Sequence, residues 1–229
     1  MTGRFKPRME ILPPAQQRLW PELRPAAGLG FALYGGTAIA LRLGHRSSVD
    51  FDFFSAKPLD HDAIRAAFVF ITQATVLQDQ PNTFTVSVPG ASLEGVSVKL
   101  SFFGGLGFGR VGEPEITEDG VLHVASLDDL MATKTKVILQ RAEAKDYRDI
   151  AAMVDAGVDL SRGLAAAREM YGPNFQPSES LKAMIYFDDG DLRTLTPGQR
   201  ACLVKAASGV RDLPRVEILT RQLTASGPD

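Results

Sequence analysis

Apolar and polar positions follow two periods along the chain, and the period changes near residue 125. An apolar run, Phe31-Ala32-Leu33-Tyr34, reads as a strand. Gly35-Gly36 turns it, and Thr37-Ala-Ile-Ala-Leu-Arg-Leu starts a short helix that closes at Gly44. Val49-Asp50-Phe51-Asp52-Phe53-Phe54 alternates with period two, so Asp50 and Asp52 share one strand face and Val49, Phe51 and Phe53 the other. Residues up to about Pro14 read as a polar arm, and Ala15 to Leu23 as a short helix interrupted near Pro21. Asp60 to Phe68 reads as a helix with an acidic first turn. Three strands are predicted next, Val69 to Leu77, Thr83 to Val88 and Val96 to Phe103. The middle one is bracketed by Pro81-Asn82 and Pro89-Gly90, as a hairpin member should be.

Gly104 to Gly120 is glycine-rich and reads as a long loop, followed by an extended Val121 to Val124. Ser126 then offers an N-cap with Asp129 at the third helical position. Helical spacing continues over Leu127 to Arg141, Lys145 to Ala156, Ser161 to Tyr171, Ser178 to Phe187, Pro197 to Ala207 and Leu213 to Leu223. The expected class is α+β, with a mixed β-sheet core plus helices over residues 1–125 and a helical domain over 126–229.

Composition narrows the function classes. The 229 residues are 45% hydrophobic and 23% charged, which is enough apolar material for a real core. A formal net charge of −2 gives no global basic field, so any RNA contact has to come from a local patch. The single cysteine, Cys202, excludes an internal disulfide and a cysteine-based metal site. No apolar run reaches membrane-spanning length and the first residues lack the apolar core of a signal peptide, so a cytoplasmic protein with no membrane contact is expected.

Candidate chemistry gathers on two stretches. Gly35 and Gly36 let backbone N–H groups approach a ligand, and the helix N-terminus that follows favours an anion, so Gly35, Gly36 and Thr37 are candidate phosphate holders. Asp50 and Asp52 are like charges on one face of an otherwise apolar strand, which calls for a cation between them. Paired oxygen ligands suit Mg²⁺, with Mn²⁺ as an alternative, shared with substrate phosphates. Arg46 and Ser48, just before the acids, are placed to hold terminal phosphates. The plainer reading is a tight turn beside surface acids, but the packed Phe51, Phe53 and Phe54 make an idle acidic pair costly. In the second stretch, Lys134, Arg141, Lys145 and Arg148 share a face if one helix runs through them, with Asp146 and Asp149 beside them. The plainer reading there is an i,i+4 pair between Lys145 and Asp149, worth about 0.3–0.5 kcal/mol if exposed.

The stretch from Gly35-Gly36-Thr37 through His45-Arg46-Ser47-Ser48 to Asp50-Phe51-Asp52-Phe53-Phe54 resembles the signature of the AbiEii/AbiGii-type toxin nucleotidyltransferases, members of the polymerase-beta-like superfamily. The run from Val124 to Ile150 is similar to that family's second block, in which a helical lysine, an arginine seven later and a Lys-Asp-x-x-Asp element close over the nucleotide. Residue by residue these are Lys134, Arg141, Lys145, Asp146 and Asp149. The resemblance implies a nucleotidyltransferase-like fold and transfer of NMP from an NTP to an acceptor such as RNA or a tRNA end. It also implies Mg²⁺ at Asp50 and Asp52, and a cognate antitoxin as partner. Lys134 with Arg141 would neutralise the triphosphate, with Lys145 and Asp149 at the nucleotide and Asp146 a candidate catalytic acid.

One departure changes the chemistry. The superfamily generally carries a third carboxylate on a neighbouring strand, here Gly95 to Phe103, which offers Lys99 and Ser101 but no acid; Glu94 precedes it. Without it the nucleophile lacks its obvious base. Asp146 or Asp149 would have to substitute, or the pocket is that of a nucleotide- or partner-binding protein with little turnover. Transfer of a γ-phosphoryl group by the same scaffold is a third reading.

Overall fold

The computed structural model describes residues 3–90 and 97–224. They fall into two compact units. One comprises Met1–Gly109, Glu113–Ala125 and Thr220–Asp229, the other Arg110–Gly112 and Ser126–Leu219.

The first unit is built on a mixed sheet. In chain order it contains β1 (Arg4–Phe5), α1 (Pro14–Leu19), α2 (Pro25–Gly28), β2 (Ala32–Tyr34), α3 (Gly35–Leu43), β3 (Asp50–Phe54) and α4 (His61–Ala67). β4 (Thr75–Gln80), β5 (Thr83–Val88), β6 (Val98–Phe103), β7 (Glu115–Thr117) and β8 (His123–Val124) follow. The strand order is β1-β7-β8-β2-β3-β6-β5-β4. β3 sits in the middle, antiparallel to β2 and parallel to β6. One face of these strands is the core: Phe51, Phe53, Phe84, Leu100 and Phe102 are fully buried, and Phe53 stacks on Phe102 at 5.2 Å between centroids. Each such ring contributes roughly 1.5–3 kcal/mol of burial, which fixes the register of β3 and with it the direction of Asp50 and Asp52.

The helix after the glycine turn is held at both ends. Gly44 caps it with φ +69°, as the sequence predicts, and its N–H donates to Ala40 O at 2.8 Å. Arg42 on α3 donates through Nε to Ala125 O (3.1 Å) and through Nη2 to Val124 O (3.0 Å), pairs with Glu115, and lies 4.4 Å over the Phe5 ring. These contacts tie α3 to β8, β7 and β1.

In the second unit the helices are α5 (Leu127–Val137), α6 (Ala144–Asp155), α7 (Leu160–Tyr171), α8 (Pro177–Met184) and α9 (Pro197–Gly209). Ser126 caps α5 as expected, accepting from Asp129 N at 3.1 Å. α5 and α7 approach closely: a Cβ on Gly163 would stand 2.2 Å from Met131 Cγ.

Several expectations are corrected. The polar arm contains a strand, because β1 pairs in parallel with β7 and Ile11 and Leu12 are buried. Val69–Gln73 forms a 3₁₀ turn rather than the start of a strand, with Val69 exposed and Ile71 buried. The long loop contains β7, which pairs on both sides. The first helix ends at Val137 and not Arg141: Leu139 and Gln140 donate to residues three back, tightening the chain out of the α-helix. Residues 213–223 are not helical, and Leu219 N donates to Arg110 O instead. Glu94, Gly95 and Val96 lie outside the described residues.

Candidate active site

In the sheet unit the site begins at the junction of β2 and α3. Gly35 has φ +73°, in the left-handed region, and a Cβ there would stand 2.6 Å from Asp52 Oδ2. The Asp52 carboxylate therefore rests directly against the glycine bend, a position open only to a residue without a side chain. Register explains the approach, since Tyr34 lies opposite Asp52 across β2 and β3. Tyr34, the N-cap residue of α3, makes no side-chain cap hydrogen bond, and no acid occupies the helix's first turn. The N–H groups of that first turn have no acceptors within the helix and lie at the positive end of its dipole.

Thr37 and Ser48 build this corner from inside. Both are buried; their hydroxyls are 2.7 Å apart, and Thr37 Oγ1 donates to Asp50 O. With that proton committed, the remaining bond runs from Ser48 to Thr37. The pair couples the first turn of α3 to the entry of β3. The two hydroxyls thus hold the framework of the bend together. Arg46 is half-buried and donates through Nη1 to Ser47 O at 3.0 Å.

Asp50 and Asp52 are both half-buried on one face of β3, while Phe51 and Phe53 are sealed on the other. Val49 departs from the expected alternation: it precedes β3 and is exposed. The cation that the acidic pair calls for is present in part, as Lys99 Nζ lies 3.5 Å from Asp50 Oδ2. In parallel register Lys99 stands beside Asp50 and Ser101 beside Asp52, so the neighbouring strand supplies an ammonium and a buried hydroxyl. Among the described residues no third His, Cys, Asp or Glu joins the pair. Two carboxylates on one face, beside a bend that a Cβ would fill, fit a hard divalent ion completed by water and phosphate oxygens.

The second constellation forms wholly within the helical unit. Lys134 on α5 donates from Nζ to Asp146 Oδ1 at 2.5 Å and lies 2.7 Å from Asp149 Oδ2. Both aspartate side chains are fully buried and the lysine is 6% exposed. Arg141 adds Nε to Asp146 Oδ2 at 2.8 Å and Nη2 to Oδ1 at 3.2 Å. Burial pushes the Asp146 carboxyl up, but the Arg141 hydrogen bonds and the Lys134 charge outweigh it and hold it below its ordinary range. The helix is not continuous through these residues, yet Lys134, Arg141, Asp146 and Asp149 still meet. Lys145 does not join them: it pairs with Glu143 at 2.8 Å, and the expected Lys145 to Asp149 pair is replaced by Lys134 to Asp149.

Three features of this geometry were not singled out from the sequence. One is the Lys99–Asp50 pair, another the burial of Lys134. The third is the row of aromatic rings, Tyr34, Phe54, Phe103 and Phe108, that continues the acidic face of the sheet. The alternation Val98-Lys99-Leu100-Ser101-Phe102-Phe103 carries the signal for the first and part of the third.

Comparison with known proteins gives the chain its family and its fold relatives. The family model "Nucleotidyl transferase AbiEii toxin, Type IV TA system" matches residues 18–208. An uncharacterized protein of Aquifex aeolicus is 31% identical over 162 residues, covering 69% of this chain and 74% of its own length. Among solved structures, MenT4, a nucleotidyltransferase toxin from Mycobacterium tuberculosis, is similar with TM-score 0.57 and 14% identity over 83% of this chain and 82% of its own. A candidate nucleotidyltransferase from H. pylori gives TM-score 0.56 and 17% identity over 84% of this chain and 92% of its own. At such identities the two structures speak for the fold, and the family match speaks for the activity. A glycine bend, a paired carboxylate strand and a family model spanning most of the chain lead to one conclusion: the chain belongs to the AbiEii nucleotidyl transferase toxin family of type IV toxin–antitoxin systems.

Proposed function

We infer that the protein transfers a nucleoside monophosphate from an NTP to an acceptor, an RNA 3′ end such as that of tRNA, using a divalent ion at Asp50 and Asp52. Membership of this toxin family implies a nucleotide substrate and a cognate antitoxin. The observation that carries the finer reading is the contact of Asp52 with the Gly35 bend at the start of α3. A metal ligand and a phosphate-binding helix terminus meet there within one side chain's reach.

In the reaction the acceptor oxygen bonds to the α-phosphorus, the bond from that phosphorus to the bridging oxygen of the β-phosphate breaks, and pyrophosphate leaves. Bound Mg²⁺ or Mn²⁺ supplies Lewis acidity and neutralises phosphate charge. Backbone N–H groups of Gly36 and Thr37 hold the leaving phosphates, and Arg46, on the segment that leads from α3 into β3, is the cation assigned to them. The acceptor's proton passes to solvent, since Ser101 stands where a carboxylate base would. In the helical unit Arg141, 46% exposed while anchored on Asp146, is the cation suited to a phosphate. Lys134, held by two buried carboxylates, serves to position it.

A second reading, nucleotide binding without rapid turnover, is favoured by Ser101 and by the Lys99–Asp50 pair. One experiment separates the readings: purified protein is incubated with each α-phosphorus-radiolabelled NTP and total RNA. Label in RNA with equimolar pyrophosphate supports transfer. NTP binding by calorimetry with no pyrophosphate supports the second reading, and release of NDP selects γ-phosphoryl transfer.

A further inference from the structure

The acidic face of the sheet does not end at Asp52. The next position on that face of β3 is Phe54, and beside it in parallel register on β6 stands Phe103. Both are half-buried, unlike Phe51, Phe53 and Phe102 on the core face, which are sealed from solvent. The Phe54 and Phe103 rings meet edge to face at 5.3 Å and 81°. Tyr34 stacks on Phe54 at 4.7 Å and 10°, so Phe54 is braced by a buried ring. Phe108 closes on the same ring at 6.3 Å. A row of braced aromatic rings that keeps part of its surface in solvent, continuous with a phosphate-handling site, is the form of a nucleobase-stacking surface.

Register decides which base it meets. β2 runs antiparallel to β3, with Tyr34 opposite Asp52 and Ala32 opposite Phe54. The bend at Gly35 and the start of α3 therefore lie toward the Asp50 end of β3. Phe54 is displaced from Asp52 the other way, by roughly 7 Å along the strand, and Phe103 is about 4.8 Å further across the sheet from β2. In an in-line displacement the attacking and leaving oxygens lie on opposite sides of the phosphorus. With the leaving pyrophosphate at the helix terminus, the attacking hydroxyl arrives from the Phe54–Phe103 side.

We propose that Phe54 and Phe103 form the platform on which the terminal base of the acceptor strand stacks, presenting its sugar hydroxyl to the α-phosphate beside Asp52. This deepens the transfer reading above and rests on it. A ring face reads the presence of a base and not its hydrogen-bonding edge, so the acceptor's last base is tolerated in kind but required in fact.

The test measures binding and needs no turnover. The probe is a short single-stranded RNA with a fluorescent 5′ end, followed by anisotropy in the absence of metal and NTP. NTP with Mn²⁺ is titrated separately by calorimetry. Phe103→Leu is expected to weaken the RNA roughly tenfold, and Phe103→Trp to restore it, with NTP affinity within about twofold of wild type in both. An RNA whose last residue is abasic should bind wild type as weakly as the intact RNA binds Phe103→Leu, which tests the claim on unmodified protein. Loss of NTP affinity instead would move the platform to the nucleotide's own base and overturn the proposal. So would equal binding of intact and abasic RNA, or no RNA binding by wild type. Failure of wild type to bind NTP with Mn²⁺ would strike the transfer reading itself, and the two failures are told apart by the separate titrations.

Discussion

Replacing Gly35 with alanine isolates the contact on which the site is built. The position has φ +73°, and an L-residue there costs about 1–2 kcal/mol. In a protein of this size that lowers Tm by roughly 2–8 °C. The new Cβ would stand 2.6 Å from Asp52 Oδ2, so the carboxylate has to retreat by about 0.8 Å to reach the 3.4 Å of ordinary contact. A displacement of that order at a reacting centre costs about a hundredfold in rate. Gly44→Ala is the control: its φ is +69°, but the nearest atom to its Cβ is Arg8 Cγ at 3.5 Å, outside the site. Both variants should lose similar thermal stability, measured by calorimetry, while only Gly35→Ala loses transfer of radiolabelled NMP. Transfer by Gly35→Ala within about threefold of wild type would show that the Asp52–Gly35 contact does not set the reaction geometry. Equal losses of transfer in the two variants would show the same.

Further outcomes follow from the charges. Lys134→Met leaves Asp146 and Asp149 buried without their shared ammonium, and should cost about 3–5 kcal/mol, a fall in Tm of roughly 6–20 °C. Lys145→Ala, which loses only a half-exposed pair with Glu143, should cost under about 1 kcal/mol by the same scan. Because the Asp146 pKa is depressed below its ordinary 3.8 in the fold, its stabilisation is present above that pH and is lost as pH falls further; Arg141→Gln should move acid unfolding to higher pH. Asp129 behaves oppositely: burial, only partly offset by hydrogen bonds from Ser126, Val111 and Gly112, raises it from 3.8 to about 6. The fold binds that proton more tightly than the unfolded chain, so this contribution, on the order of 3 kcal/mol, is complete below pH 3.8 and lost as pH rises to about 6. Asp129→Asn should flatten stability measured by urea titration across that window.

The parts of the fold written in short-range patterns were legible. Two glycines between an apolar run and a helix, and the period-two Asp50-Phe51-Asp52-Phe53, locate β2, α3 and β3 because turn chemistry and alternation are local. Ser126 with Asp129 marks the start of α5 for the same reason. What was not legible depends on distant partners. β1 has two residues, too few for a pattern, and exists through its pairing with β7. Val69–Gln73 has the composition of a strand, yet pairs with none and winds into a 3₁₀ turn. Lys134 has the spacing of a solvated helix face; its burial comes from acids on α6, twelve and more residues later. The contact between the Thr37 and Ser48 hydroxyls was not legible either, because it joins residues eleven apart and a hydroxyl facing another buried hydroxyl cannot be told from one facing a ligand by sequence alone.

Whether the Asp52 carboxylate beside the Gly35 bend carries the transfer is decided by radiolabel transfer by Asp52→Asn at matched thermal stability. This substitution keeps the side chain's size beside Gly35 and removes its charge. Wild type should move the α-phosphorus label to its acceptor with release of pyrophosphate, and Asp52→Asn, folded to the same Tm within a few degrees, should move none. Labelling by Asp52→Asn at the wild-type rate would remove Asp52 from the reaction.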